Sequence, residues 1–334
     1  MNPPITIILP TLNERAHIRD CLDSLLAQDY DSVAAILVVD GGSRDGTREI
    51  VSSEGGIVRL LDNPRMTAAA AMNIGIAECA TEKFVRVDAH TLYASDYVSR
   101  SVATSLETGA EVVGGPMRPV GTNPFGRAVA AVTTSPLGVG PGRFHYSETL
   151  EEVETVYLGI FDKAFVLKVG GYDETDLQWA AEDQELNFRI RKAGGRIILD
   201  PRIRSTYFPR NNPRALARQY HNYGMCKAST LKKHRILPYW RPMAPALMVL
   251  ASIVCVISAV LIGPRWIAPL PFAGYGVAAA MIGIRMSSVR GVTPHRVAIA
   301  LSICHWCYGI GFWRGVGRII TGRKFDTRPK GGRR

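Results

Sequence analysis

Acidic residues all but vanish after residue 201. Residues 202–334 hold one carboxylate, Asp326, against 22 Lys and Arg, whereas residues 1–201 hold 28 acids and 18 bases. The overall charge of +11 therefore hides an acidic first part and a strongly basic second. An acidic body is not a nucleic-acid binder, since phosphate neutralisation needs clustered bases. The basic part is interleaved with apolar runs, which suits an anionic membrane surface better than DNA. Cysteine is sparse too: six residues, scattered. Cys304-His305-Trp306-Cys307 has metal-ligand spacing but no second pair, and within an apolar run it reads as packing. The first residues, Met-Asn-Pro-Pro-Ile, lack a basic and then apolar leader, so the first part is expected to stay in a reducing cytoplasm. Gly-x-Gly-x-x-Gly and Gly-x-x-x-x-Gly-Lys-Ser/Thr are both missing: the loop after the first apolar run, residues 10–15, contains no glycine. A dinucleotide fingerprint and a phosphate loop are thereby excluded.

What is present is alternation. Ile5-Thr6-Ile7-Ile8-Leu9, with no polar residue beyond Thr6, and residues 36–39 have the pattern of buried parallel strands, and residues 58–61 and 84–87 read as the third and fourth strands. Between them lie helical periods, the first carrying Ile18, Leu22, Leu25 and Leu26, then 48–53 and the alanine-rich 67–79. A helix over 96–108 and a strand over 110–113 continue the series, which predicts βαβ units on a mostly parallel sheet, an α/β fold. Residues 121–146, rich in Gly, Pro and aromatics, read as a long functional loop. Residues 156–166 read as a strand, 181–192 as a helix opened by acids, and 196–199 as a last strand.

Beyond residue 212 the pattern changes. Residues 213–235 predict an amphipathic basic helix, with Leu216, Tyr220 and Tyr223 on one side, of the kind that lies in a membrane interface. Residues 243–263 are 21 positions without a charge, enough to cross a bilayer, and 267–284 are long enough to return. Residues 297–317 are apolar but carry His305, Gly309 and Gly311. Arg285, Arg290 and Arg296 in one loop, and seven bases in 318–334, belong on the cytoplasmic side. Two spans and a third, non-crossing segment satisfy both. The expected organisation is a catalytic domain over 1–235, with halves at 1–115 and 116–235, and a membrane region over 236–334.

Five short motifs carry polar chemistry at strand ends, where open α/β sheets bind ligands. They are Pro10-x-x-Asn13-Glu14, Asp40-Gly41-Gly-Ser-x-Asp45-Gly-Thr, Ala71-x-Asn73-x-Gly75, Asp88-x-His90 and Glu182-Asp183. Alone, each is equally a capped turn or a helix start. Asp88 and His90 lie two residues apart at a strand end, on one side of it. They offer a hard oxygen and a borderline nitrogen to Mg2+ or Mn2+, the nitrogen leaning toward Mn2+. One of Glu182 and Asp183 is suited to a general base.

Together, in this order and spacing over residues 5–225, the motifs resemble family 2 glycosyltransferases of the GT-A fold. The run Arg86-Val-Asp-Ala-His90, Gln219-Tyr-His-Asn-Tyr-Gly224 and the apolar C-terminal part look most like bacterial succinoglycan-type exopolysaccharide enzymes. The resemblance implies a nucleotide-sugar site at Pro10, Thr11, Asn13, Glu14, Asp40, Gly41, Asn73 and Asp88. It implies a metal at Asp88 and His90, and Asp183 as base of an inverting transfer. Where the family pattern has a second Asp, this chain has His90. The Gln-x-x-Arg-Trp signature of processive synthases is absent, which favours single-sugar addition. The implied partners are a UDP-sugar, a polyprenyl-linked saccharide and membrane lipids, at the cytoplasmic face of a bacterial inner membrane. A polyprenyl-phosphate glycosyltransferase and a non-catalytic membrane scaffold remain alternatives.

Overall fold

The computed structural model describes residues 2–140, 142–175, 181–235, 240–261 and 263–322. Its elements in chain order begin with β1 (Ile5–Thr11), α1 (Ile18–Leu26), β2 (Val33–Asp40), α2 (Thr47–Glu54), β3 (Val58–Asp62), α3 (Ala68–Glu78) and β4 (Lys83–Arg86). There follow β5 (Thr91–Tyr93), α4 (Tyr97–Thr108), β6 (Val112–Gly115), α5 (Pro124–Thr133), α6 (Pro136–Val139), β7 (Glu151–Glu152), β8 (Tyr157–Asp162), α7 (Lys163–Lys168) and α8 (Glu182–Lys192). The last are β9 (Ile197–Leu199), β10 (Ser205–Tyr207), α9 (Pro213–His234), α10 (Trp240–Leu261), α11 (Leu270–Arg290) and α12 (Pro294–Ile320).

The chain divides into two compact units. The first takes in residues 1–118 and 142–207, the second 119–141 and 208–326. In the first, eight strands form one sheet in the order β3-β2-β1-β4-β8-β6-β9-β7. β1 runs parallel to both β2 and β4, while β8 is antiparallel to β4 and β6. The α/β expectation holds, with a mixed far half.

Alternation along the strands decides what each face buries. Ile5, Ile7 and Leu9 of β1, with Ile36 and Val38 of β2, meet Ile18, Leu22 and Leu25 of α1 and Val98 and Val102 of α4. Ile8, Leu37 and Val39 point the other way, onto Met72 and Ile76 of α3 and Leu186 and Ile190 of α8. Each such aliphatic chain contributes about 1.5–3 kcal/mol by leaving water. Leu26 alone of the four apolar α1 positions is exposed, at 44%.

Several segments differ from the expectation. Residues 121–146 are not one loop: Asn123 caps Gly126 and Pro124 starts α5, whose Ala128, Val129 and Val132 are buried. Residues 156–166 divide at Asp162, whose carboxylate accepts from Phe165 N at 2.8 Å and turns the chain into α7. β5, β7 and β10 are strands of two or three residues.

In the second unit, α9 is the expected basic helix, but its apolar side is covered. Leu216 and Tyr220 join a cluster with Val297, Ala300, Leu301 and Cys304 of α12, so that stripe does not face lipid. Arg214, Arg218 and Tyr223 remain exposed. Glycine permits the close crossing: a Cβ at Gly224 would sit 2.0 Å from Tyr308 O, and one at Gly311 2.1 Å from His221 O. Cys304 to Cys307 lie within α12, with Cys304 buried in this cluster, Cys307 packed against it and His305 Nδ1 3.1 Å from the Tyr275 hydroxyl. Two stretches, Met243–Leu261 and Arg265–Ser288, are long and apolar enough to cross a membrane.

Candidate active site

β1 lies between β2 and β4: the chain steps outward from β1 to β2 and β3, and the connection through α3 then returns past β1 to β4 on its other side. The crevice outside the carboxyl ends of such strands is where open α/β sheets receive ligands. Four of the five motifs begin or end there or pack beneath it.

The first two motifs are laced to each other. Thr11 stands opposite Asp40 in the β1–β2 register, and its hydroxyl donates to Asp40 Oδ2 at 3.2 Å. Asn13 N donates to Ser43 Oγ, Glu14 N to Thr47 Oγ1 and Arg15 N to Asp45 Oδ2, at 2.7, 2.9 and 3.0 Å. Asn13 Oδ1 in turn accepts from Arg44 N at 3.0 Å, with Asn13 in the left-handed region at φ 56°. A Cβ at Gly41 would be a tight fit, 3.2 Å from Leu12 Cδ1 and 3.3 Å from Met66 Cα. The Ser, Asp and Thr of the second motif are thus what hold the glycine-free loop after β1. Pro10, the last β1 residue before Thr11, is partly exposed at the rim.

Asp40 is 1% exposed and fully occupied: Oδ1 accepts from Gly42 N, Ser43 N and Arg48 Nη1, and Oδ2 from Ser43 Oγ and Thr11 Oγ1. Burial works to raise its pKa, but these donors, Ser43 foremost, outweigh it and hold the carboxyl below the usual range. Any ligand group meeting Asp40 exchanges with a bond the protein already makes.

Asn73 is placed differently from the other predicted contacts. Its amide is used on both ends by the segment before α8: Nδ2 donates to Tyr172 O and Glu174 Oε1, at 2.9 and 2.7 Å, and Oδ1 accepts from Tyr172 N at 2.8 Å. Gly75 lets α3 approach β1, since a Cβ there would lie 2.4 Å from Ile8 Cγ2.

Asp88 and His90 occupy the turn between β4 and β5, with side chains 22% and 27% exposed. The turn is fixed from below: Asp88 N donates to the Tyr93 hydroxyl at 2.7 Å, and that hydroxyl donates back to Asp88 O at 3.2 Å. β10 pairs with β5 and brings the Tyr207 ring to 5.5 Å from His90, edge to face. Glu14 Oε1 is 3.9 Å from His90 Nδ1. Beneath them, burial first and then the charges of Asp88 and Glu14 push the Cys21 thiol upward, so two motifs share one electronegative patch.

Among the described residues no group of three His, Cys, Asp or Glu is arranged to hold a metal. One carboxylate and one imidazole, each about a quarter exposed, fit a hard cation that takes most of its shell from phosphates and water. They do not form a closed cage of protein ligands.

Arg86 joins this patch to the last motif. It is buried at 6%, with Nη2 2.9 Å from Glu182 Oε1 and 4.0 Å from Asp88 Oδ1, and its guanidinium lies over the Tyr172 ring at 5.6 Å. Glu182 and Asp183 open α8 after Ala181, which is left-handed at φ 61°. Asp183 is half-buried, and its Oδ1 accepts from Gln184 N at 2.7 Å. Glu185, 0% exposed, grips Arg189, which reaches Val169 O and Gly171 O and anchors the helix below. The role of Arg86 was missed in the sequence, although a charge inside the apolar run Phe84-Val85-Arg86-Val87 was its signal. Tyr93 left none, because a two-bond clasp on a backbone has no sequence pattern.

A family model described as glycosyl transferase family 2 matches residues 6–159. The succinoglycan biosynthesis protein ExoA of Rhizobium meliloti (strain 1021) is 33% identical over 314 residues, covering 92% of this chain and 93% of that protein. The chain belongs to the family 2 glycosyltransferases. A dolichyl N-acetyl-alpha-D-glucosaminyl phosphate 3-beta-D-2,3-diacetamido-2,3-dideoxy-beta-D-glucuronosyltransferase of Methanococcus voltae is 26% identical, over 75% of this chain and 81% of its own. Among solved structures, the mannosyltransferase PcManGT of Pyrobaculum calidifontis, in complex with GDP-Man and Mn2+, shares the GT-A fold. Its TM-score is 0.57 at 19% identity, over 94% of this chain and 88% of that one. This glycosyltransferase thus has relatives in exopolysaccharide and lipid-linked glycan synthesis.

Proposed function

We propose that this glycosyltransferase is membrane-associated and inverting, and that it moves one sugar from a nucleotide-sugar, UDP being the expected nucleotide, to a saccharide carried on a polyprenyl lipid. The reading is carried by one observation: a single buried guanidinium, Arg86, lies between Asp88 and the Glu182 that precedes Asp183. Donor-side and base-side carboxylates thereby meet around one fixed charge at one sheet edge. The relatives' names support the substrate class, and two long apolar stretches support the membrane.

In this reading the loops of Pro10, Thr11, Asn13 and Glu14, and of Asp40 and Gly41, form the floor for the nucleoside. Asn73 acts from behind by holding residues 172–174. Asp88 and His90 would hold Mg2+ or, given the imidazole, more favourably Mn2+. When bound, that cation neutralises the departing nucleoside diphosphate. Asp183 takes the proton of the acceptor hydroxyl as its oxygen bonds to the anomeric carbon. The bond from that carbon to the phosphate oxygen breaks on the opposite face, and its electron pair leaves with the diphosphate. One displacement inverts the centre, and no second carboxylate is needed as nucleophile. The bases of 285–296 and of the C-terminal tail support a cytoplasmic face for the catalytic part.

Membranes containing the protein, given a panel of UDP- and GDP-sugars with and without Mn2+, test this. One labelled sugar is expected to enter the lipid fraction, chelator to abolish the transfer, and Asp183→Asn to lower turnover about 10²–10⁴-fold with an unchanged melting curve. Turnover indifferent to chelator would remove the metal from Asp88 and His90. Transfer onto lipid phosphate bearing no saccharide would replace the acceptor.

A further inference from the structure

The surface of the second unit carries an open groove of about 310 Å³ whose wall comes from both of its sequence segments. One side is the stretch from Pro119 to Gly121 with Arg127, Ala130, Ala131 and Thr134 of α5 and its end; the other is Arg290 and Val292. Arg290 is the last residue of α11, two positions beyond the apolar stretch Arg265–Ser288. The groove therefore opens where a membrane-crossing helix would meet the headgroup layer.

Its chemistry is one-sided. Two guanidiniums stand in an otherwise largely apolar wall, and between 119 and 141 and between 208 and 322 the sequence has no Asp or Glu. Arg290 is held in place rather than neutralised: Nη1 donates to Ala131 O and Thr134 Oγ1, and Nη2 to Thr134 O. That uses three of its five N–H groups and leaves the charge unmatched. The Arg127 side chain is exposed and has no hydrogen bond or ion pair among the described residues. Arginines without a counter-carboxylate suit phosphate, which they take by forked hydrogen bonds. An apolar wall beside them selects a chain attached to that phosphate. The groove is open, so a headgroup phosphate can lie on it while the rest of the lipid chain stays outside.

We infer that this groove holds the phosphate of the isoprenyl-lipid acceptor, with Arg127 and Arg290 as its two cationic contacts. The inference rests on the lipid-linked acceptor proposed above and assigns a site to it. Full-length protein in zwitterionic nanodiscs, without donor sugar, is titrated with farnesyl phosphate and with farnesol. Arg127→Gln is expected to weaken farnesyl phosphate about tenfold and leave farnesol unchanged, because it removes one charged hydrogen-bonding contact. Ala130→Leu, which fills the apolar wall, is expected to weaken both. Arg127→Lys restores part of the phosphate affinity. Farnesyl phosphate binding that ignores both Arg127→Gln and Ala130→Leu overturns the site. Equal displacement by phosphatidylglycerol overturns the choice of acceptor in favour of bulk anionic headgroups. Sugar transfer is assayed separately: if it fails while these binding differences stand, the transferase reading falls and the phosphate site is retained.

Discussion

Arg86 both satisfies a buried acid and orders the start of α8, and substitution separates the two. Its partner Glu182 has a side chain 8% exposed. Arg86→Met leaves that carboxylate buried and unpaired, with an expected loss of about 3–5 kcal/mol in stability by denaturant titration. Arg86→Met with Glu182→Leu replaces the pair by apolar groups and is expected to recover most of that loss, since buried pairs are often no better than packed hydrocarbon. Transfer activity is expected to stay low in the double variant; recovery of both would make Arg86 a purely structural residue. His145 gives a second expectation, in pH. Burial lowers its imidazole from 6.5 to about 4, and Nδ1 has no partner among the described residues. The unfolded chain then binds the proton that the fold refuses, so stability is full above pH 6.5 and falls as pH drops toward 4. The loss is on the order of 2–3 kcal/mol. His145→Phe, keeping the ring contact with Phe144, is expected to flatten that part of the melting-temperature profile.

Two glycine contacts predict different outcomes at the scale of elements. At Gly75 the obstacle to a Cβ is a side-chain methyl of Ile8, and overpacking there costs about 1–3 kcal/mol, partly offset by the better helix propensity of alanine. At Gly224 the obstacle is the Tyr308 carbonyl, which cannot move without shifting α12. Thermal unfolding is expected to rank Gly224→Ala well below Gly75→Ala, and equal effects would mean that α9 and α12 do not cross so closely. The same contrast explains what could be read from the sequence. β1, β2 and β4 announce themselves because continuous β-branched runs have few other uses, and Thr11, Asp40 and Asp88 follow from where those runs end. α5 was hidden behind glycines and prolines that looked like loop, although Asn123-Pro124 is a helix start. β5, β7 and β10 are too short for any period, yet β10 is what sets Tyr207 beside His90. Asn73 was recognised as a motif residue, but only tertiary contact shows that its amide is engaged by Tyr172 and Glu174.

For the whole molecule, the division of charge seen in the sequence recurs in the fold. The ion pairs described above lie within residues 14–204, and the second unit contributes bases, apolar helices and no carboxylate before Asp326. Two different attachments to a membrane are compatible with such a unit, and ionic strength distinguishes them. If only the bases held the protein to anionic headgroups, 1 M salt would shrink the screening length to about 3 Å and release it. If Met243–Leu261 and Arg265–Ser288 cross the bilayer, each buries roughly the 20 apolar residues a crossing needs, and no salt offsets that burial. Membranes washed in 1 M salt and then in alkaline carbonate are therefore expected to retain the full chain, and detergent to release it. A chain with residues 240–322 deleted is not a useful control, because it would uncover Leu216 and Tyr220. Placing a lysine at Val254, an exposed position in the middle of α10, is the better one: the apolar surface stays closed, but the charge stands at the bilayer centre. Loss of carbonate resistance in Val254→Lys, with the salt wash still tolerated by the parent chain, is the expected pair of results; release of the parent by salt alone would leave the bases as its only attachment.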